Sequence, residues 1–385
     1  MTPTATAPPD ASASGGDGRD ATPPPAHDPV AWDVAERVAV RVARRDPLEG
    51  SYLYASLEPD FREFTAQAEA LVAAETGLRS LAGPARARVT DRAGWIQANV
   101  ASFRRLLRPL TERLGQRLGS GPAAKVGRSV AGAEVGALLG WMSTRVLGQY
   151  DLLVIENEEP EKQDIVYYVG PNILSLEKRY AFPPKEFRLW IAIHEVTHRA
   201  QFTGVPWMRE HFLSLVEQSL NAFDPDPKRF LEALRRAVDS IKAGENPLDE
   251  GGLISLFATP EQSAVFRQIQ GLMSLLEGHG DLVMDWAGAD RIPSAGRFKQ
   301  VLHQRRQASG PARLLQKLIG LEAKLRQYHE GERFLEAIEK ADPKNVSLLW
   351  QGPESLPSID EIRHPERWLV RVQPPPPAAL EAAAR

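Results

Sequence analysis

The stretch KEFRLWIAIHEVTHRAQF, residues 185–202, constrains the chain most, because it reads as an apolar helix with reactive groups in its middle. Leu189, Ile193, Val196 and Ala200 recur at helical spacing and can face a core. Pro183 and Pro184 precede the stretch, and proline suits a helix start because its missing N–H is not needed there. His194, Glu195 and His198 stand within this apolar pattern as H-E-x-x-H. A fold that buries this helix must still leave two imidazoles and a carboxylate available.

On a helix, residues four apart lie on one face with Cβ atoms about 6 Å apart. Two imidazoles so placed can reach one metal at about 2.0–2.1 Å. Glu195 stands one step round from His194, where its carboxylate can take a proton from water instead of binding the metal. The chain contains no cysteine, so disulfides, thiolate zinc sites and cysteine nucleophiles are excluded. Any transition metal must be held by His, Asp or Glu, and one zinc ion is the expectation for two histidines and a carboxylate.

Two histidines need a third ligand. Gln201 and Gly204 stand where the metzincin extension requires Gly and His, so that pattern is excluded. His211 lies beyond the break at Gly204–Pro206. A second helix is expected over 260–286: Thr259 suits the N-cap, Pro260 the first helical position, and Gln262 completes a capping box. In its segment LLEGHGDLVMD, Glu277 and Asp281 are four apart and share a face. This resembles the gluzincin pattern, in which the Glu binds zinc and the Asp orients a ligand histidine. Glu277 is therefore the expected third metal ligand, with Asp281 behind the ligands. His279 competes for the ligand role. On a regular helix it points away from Glu277, unless Gly278 and Gly280 distort the turn.

The surrounding chain reads as mainly helical. Helical spacing marks 32–42, 59–71, 94–118, 130–147, 207–221, 227–241, 297–307, 311–318 and 323–341. Two β-like runs, 152–155 and 165–169, suggest a hairpin before the motif helix. The expected organisation is a tail at 1–28, one domain at 29–372 and a second tail at 373–385. Both tails are rich in Pro and Ala and are expected to be disordered. Gly132, Gly136 and Gly140 recur every four residues in the most apolar stretch, which also holds Glu134 and Arg145. It is too short and polar for a membrane span and reads as a helix packed closely on another. A net charge of −3 gives no basic footprint for nucleic acid, and the first residues lack the features of a secretory signal. The expected setting is cytoplasmic, with no nucleic-acid or membrane partner. GSGPAAKVGRS lacks the Gly-Lys-Ser/Thr order of a phosphate loop.

LWIAIHEVTHRAQFTGVPWMREH, GLMSLLEGHGDLVMD and VTDRAGWIQANVASFRRLL, with YYVGPNI and WQGPESLP…HPERWLVRV, together resemble one family over residues 30–372. It is the actinobacterial zincin-like metallopeptidase type 2 family, labelled as hydrolases associated with deazaflavin coenzyme biosynthesis. The resemblance implies a mainly α, zincin-like fold with a small β element before the motif helix. By matching position it carries the H-E-x-x-H roles to His194, Glu195 and His198, and it marks Glu277, Gly278 and His279 as a second signature.

The expected activity is zinc-dependent hydrolysis of a peptide or amide, with Glu195 as general base. A second donor should stabilise the oxyanion, and His279, Tyr168 and His211 are the candidates. The strand at 165–169 could align a peptide by strand addition. The alternative is a non-catalytic protein that keeps the zincin scaffold as a binding or accessory factor, with a deazaflavin link suggested by the family label.

Overall fold

Helical periodicity becomes helix along most of the chain. The computed structural model describes residues 28–43, 48, 51–108, 110–111, 121–152, 164–221, 260–306 and 321–373. Its main elements are α1 (Trp32–Ala43), α2 (Leu57–Thr76), β1 (Arg86–Thr90), α3 (Arg92–Leu106), α4 (Pro122–Ser143), β2 (Gly148–Tyr150) and β3 (Ile165–Val169). They continue with α5 (Gly170–Tyr180), α6 (Pro184–Gly204), α7 (Met208–Asn221), α8 (Pro260–Gly288), α9 (Ala295–Arg306), α10 (Leu321–Ala341), α11 (Ile359–Arg363) and α12 (Pro365–Val372). The expected helices at 227–241 and 311–318, and the tails apart from residues 28 and 373, lie outside the described residues.

The glycine stripe on α4 packs as its spacing suggests. A Cβ on Gly132, Gly136 or Gly140 would stand 2.4, 2.3 or 2.5 Å from the carbonyl oxygens of Ala31, Ala35 and Ala39 respectively. Steps of four on one helix match steps of four on the other in the same direction, so α1 and α4 run parallel with backbones nearly touching. No helix among the described residues is long and apolar enough to cross a membrane.

The sheet has order β1-β3-β2. β1 pairs with β3 in parallel, Arg86 opposite Ile165, and β2 pairs with β3 antiparallel, Gly148 opposite Tyr168. β3 is therefore the central strand, and its nearly continuous apolar run IVYYV suits a strand covered on both faces. This corrects two expectations. β3 has neighbours on both sides and offers no edge for a peptide. Its antiparallel partner is Gly148–Tyr150, while Leu152 lies past the strand and 153–155 fall outside the described residues. Helix α5 is a further difference. GPN reads as a turn, but Pro171 occupies the first helical turn, where proline is tolerated, and Ala181 closes the helix in the left-handed region at φ 47°.

The largest core cluster surrounds α6, which is covered by α2, α8, α9 and the sheet. Phe187 and Trp190 of α6 meet Phe182 and Phe298 in a ring cluster at 4.7–6.2 Å. Two buried arginines fix the helix axially. Arg188 grips Glu177 through two bonds of 2.8 and 2.9 Å and Asp60 at 2.6 Å. Arg199 binds Asp164 at 2.6 Å, Glu69 at 2.7 Å and the Gly83 carbonyl at 2.7 Å. The two arginines stand about three turns apart on one face, and Asp60 and Glu69 both belong to α2. The motif helix is thus clamped to α2 at both ends of the segment that carries the histidines.

Candidate metal centre

α6 starts at Pro184 with Pro183 at its N-cap position and runs unbroken to Gly204, so His194 and His198 are neighbours one turn apart. Their Nε2 atoms are 3.2 Å apart and their rings stand nearly perpendicular. Glu277 approaches from α8, its Oε2 3.9 Å from His194 Nε2 and 3.8 Å from His198 Nε2. Ligand atoms about 2.05 Å from one tetrahedral ion lie about 3.3 Å from one another. The two imidazole nitrogens already stand at that spacing, and Glu277 needs to close by about half an ångström. Two imidazoles and a carboxylate therefore fit a divalent metal in both spacing and donor type, and each side chain keeps 16–21% exposure, open on one side. Among the described residues this group comprises His194, His198 and Glu277 alone.

Four consecutive residues of α8 meet three surroundings, the first and last sharing the histidines. Glu277 faces the histidines. A Cβ on Gly278 would stand 2.5 Å from the backbone of Gly331 and Glu332, so this glycine lets α10 close on α8. His279 is fully buried, its Nδ1 2.9 Å from Gln201 Nε2 and its ring 5.0 Å from that of Trp350. A Cβ on Gly280 would come 3.3–3.5 Å from both imidazoles, so this glycine gives them room. The two glycines permit close approach without distorting the helix, which continues to Gly288. His279 consequently points away from Glu277. Burial, with His198 adding, pushes its pKa down to about 3.

Glu195 turns toward β2. It is 7% exposed, and a Cβ on Gly148 would stand 2.5 Å from its Cγ. Burial pushes its pKa up to about 7. The charge of His198 opposes that shift, Glu277 reinforces it, and a hydrogen bond from the Tyr150 backbone N–H opposes it. A carboxyl group poised near neutrality beside an open metal-ligand set is suited to taking and returning a proton.

Tyr168 and His211 lie elsewhere. Tyr168 is fully buried, stacked on Phe61 at 3.9 Å, with its hydroxyl 2.7 Å from Thr65 Oγ1. His211 sits on α7 against Trp207, and its pKa is lowered by partial burial. Asp281 is half-buried one turn beyond Glu277. Gln201 meets a ligand histidine at its Nδ1, 2.9 Å from His198. Gln201, Gly148 and Gly280 are site residues that sequence reasoning missed. For Gln201 the signal was its position three residues beyond His198 on the same helix.

Residues 30–369 match the model of a zincin-like metallopeptidase family. No curated protein matches the chain. Among solved structures, one from Chloroflexus aurantiacus, described as a putative hydrolase with a novel fold, is 32% identical. The alignment covers 90% of this chain and 100% of that one, with a TM-score of 0.66.

Proposed function

Because this chain belongs to the zincin-like metallopeptidase family, we propose that it is a zinc-dependent hydrolase of peptide or amide bonds. The observation that carries the reading is the convergence of His194, His198 and Glu277, with ligand atoms 3.2–3.9 Å apart, beside a buried Glu195. These three side chains would hold the ion. When bound there, zinc supplies Lewis acidity at the open side of the site. Glu195 accepts a proton from the attacking water at its carboxylate and delivers it to the leaving amine, and a pKa of about 7 suits both halves of that transfer. Gly148 leaves the space that the Glu195 carboxylate occupies, and the Tyr150 N–H holds it there. His279, enclosed behind the ligands, acts on their positions and not on a substrate.

The test combines zinc stoichiometry with turnover. We expect one zinc per chain, lost in Glu277→Ala and kept in His279→Ala, and hydrolysis of members of a broad peptide and amide set that Glu195→Gln abolishes while zinc is retained. Absence of zinc from carefully handled wild-type protein would sink this reading. Zinc binding without turnover would favour a scaffold that binds without catalysing.

A further inference from the structure

Gln201 is fully buried on α6, one turn beyond His198. Its Oε1 lies 2.9 Å from His198 Nδ1, and its Nε2 lies 3.0 Å from the Leu276 carbonyl and 2.9 Å from His279 Nδ1. The two ends of a side-chain amide look alike in shape, so the hydrogen-bond partners must decide which is which. Here Leu276 decides. A backbone carbonyl only accepts, so the end of Gln201 that meets it is the NH2 group, and the end that meets His198 is the carbonyl. His198 must then carry a proton on Nδ1 to donate to Oε1, which leaves its Nε2 bare and facing His194 and Glu277. The second N–H of Gln201 points at His279 Nδ1, which must accept. The proton of His279 therefore sits on Nε2, the ring nitrogen that is buried with no hydrogen-bond partner among the described residues.

We propose that Gln201 is a positioning residue. Its amide, anchored on the Leu276 carbonyl, places a proton on His198 Nδ1 and keeps one off His279 Nδ1, and so presents His198 Nε2 to the metal. The proposal rests on the metal reading given above. Leu276 adjoins Glu277, so one amide ties the helix bearing two ligands to the helix bearing the third. Ligand histidines are usually oriented by a carboxylate, a carbonyl or water. Gln201 differs from a carboxylate in donating as well as accepting, which lets it order two histidines at once. A carboxylate at this position would leave the Leu276 carbonyl without its donor and would require His279 to supply a proton from Nδ1.

The first test uses the full-length, metal-free chain with 15N-labelled histidine, at a pH where the rings are neutral. Long-range 1H–15N correlations report which nitrogen of each ring is protonated. Nδ1–H at His198 and Nε2–H at His279 are expected. In Gln201→Glu, similar in volume, His198 should keep its Nδ1 proton while that of His279 moves to Nδ1. The reverse tautomer at either ring of the wild type overturns the proposal without recourse to any variant. The second test is zinc affinity by competition with a chromophoric chelator. Gln201→Met should bind zinc about 10–100-fold more weakly. Thermal unfolding of the metal-free variant checks that it is folded, and affinity within twofold of wild type would overturn the role. The two readings fail separately. A wild type that binds no zinc but shows both expected tautomers refutes the metal site and upholds the proton order. One that binds zinc but shows the reverse tautomers does the opposite.

Discussion

The burial of Glu195 carries a pH signature that needs no substrate. In the folded, metal-free chain its pKa stands at about 7 against an ordinary 4.5. Between those values the folded state holds a proton that the unfolded chain has released, so stability falls as pH rises. The full contribution is present below about pH 4.5, drains away through the window and is gone above about pH 7. Each pKa unit corresponds to about 1.4 kcal/mol, so the whole fall is about 3 kcal/mol. Glu195→Gln keeps the shape and removes the titration. Urea unfolding of both proteins in chelator, at intervals from pH 4.5 to 7.5, gives the difference between wild type and variant and cancels most other groups. That difference should decline by about 3 kcal/mol across the window. Saturating zinc should shrink the decline, because a nearby dication favours the ionised carboxylate. A flat or rising difference curve would refute the claim that desolvation controls Glu195.

Two further outcomes follow from packing. Gly148→Ala puts a methyl 2.5 Å from Glu195 Cγ where ordinary contact begins at 3.4 Å, so the carboxylate must move by roughly 0.9 Å. Misplacement on that scale costs roughly 100-fold in kcat, and zinc binding should be unchanged; turnover with a parallel zinc titration checks both. Arg199→Met strips Asp164 and Glu69 of their buried partner and should destabilise the chain by about 3–5 kcal/mol in chemical unfolding, whereas a loss below about 1 kcal/mol would mean the clamp is dispensable.

What was legible in the chain followed local periodicity. The motif helix, the helix bearing Glu277, the glycine face of α4 and the opposed directions of Glu277 and His279 all follow from residues within one or two turns of each other. What stayed hidden depends on partners distant in the chain. β1, RARVT, carries two arginines and reads as a strand only once β3 lies beside it. Arg188 and Arg199 look like interruptions of an apolar helix until Asp60, Glu69 and Asp164 close over them. Gly278 and Gly280 suggest a weakened helix when seen alone, because the backbone of α10 and the imidazole rings that require them lie far away in sequence. The same limit concealed Gln201, whose anchor is a backbone carbonyl 75 residues away.

The quartet Glu277–Gly278–His279–Gly280 ties the site to a single helix register. Glu277 and Gly280 serve the side that faces the histidines, Gly278 the side that meets α10 and His279 the core, because successive residues turn by about 100°. A one-residue deletion just upstream reassigns every address together. Glycine then arrives where the ligand stood, and a side chain arrives where backbone must pass. The ligand role cannot drift to His279 by substitution, since that position looks into the core. The four residues therefore work only in one register and fail together when it shifts.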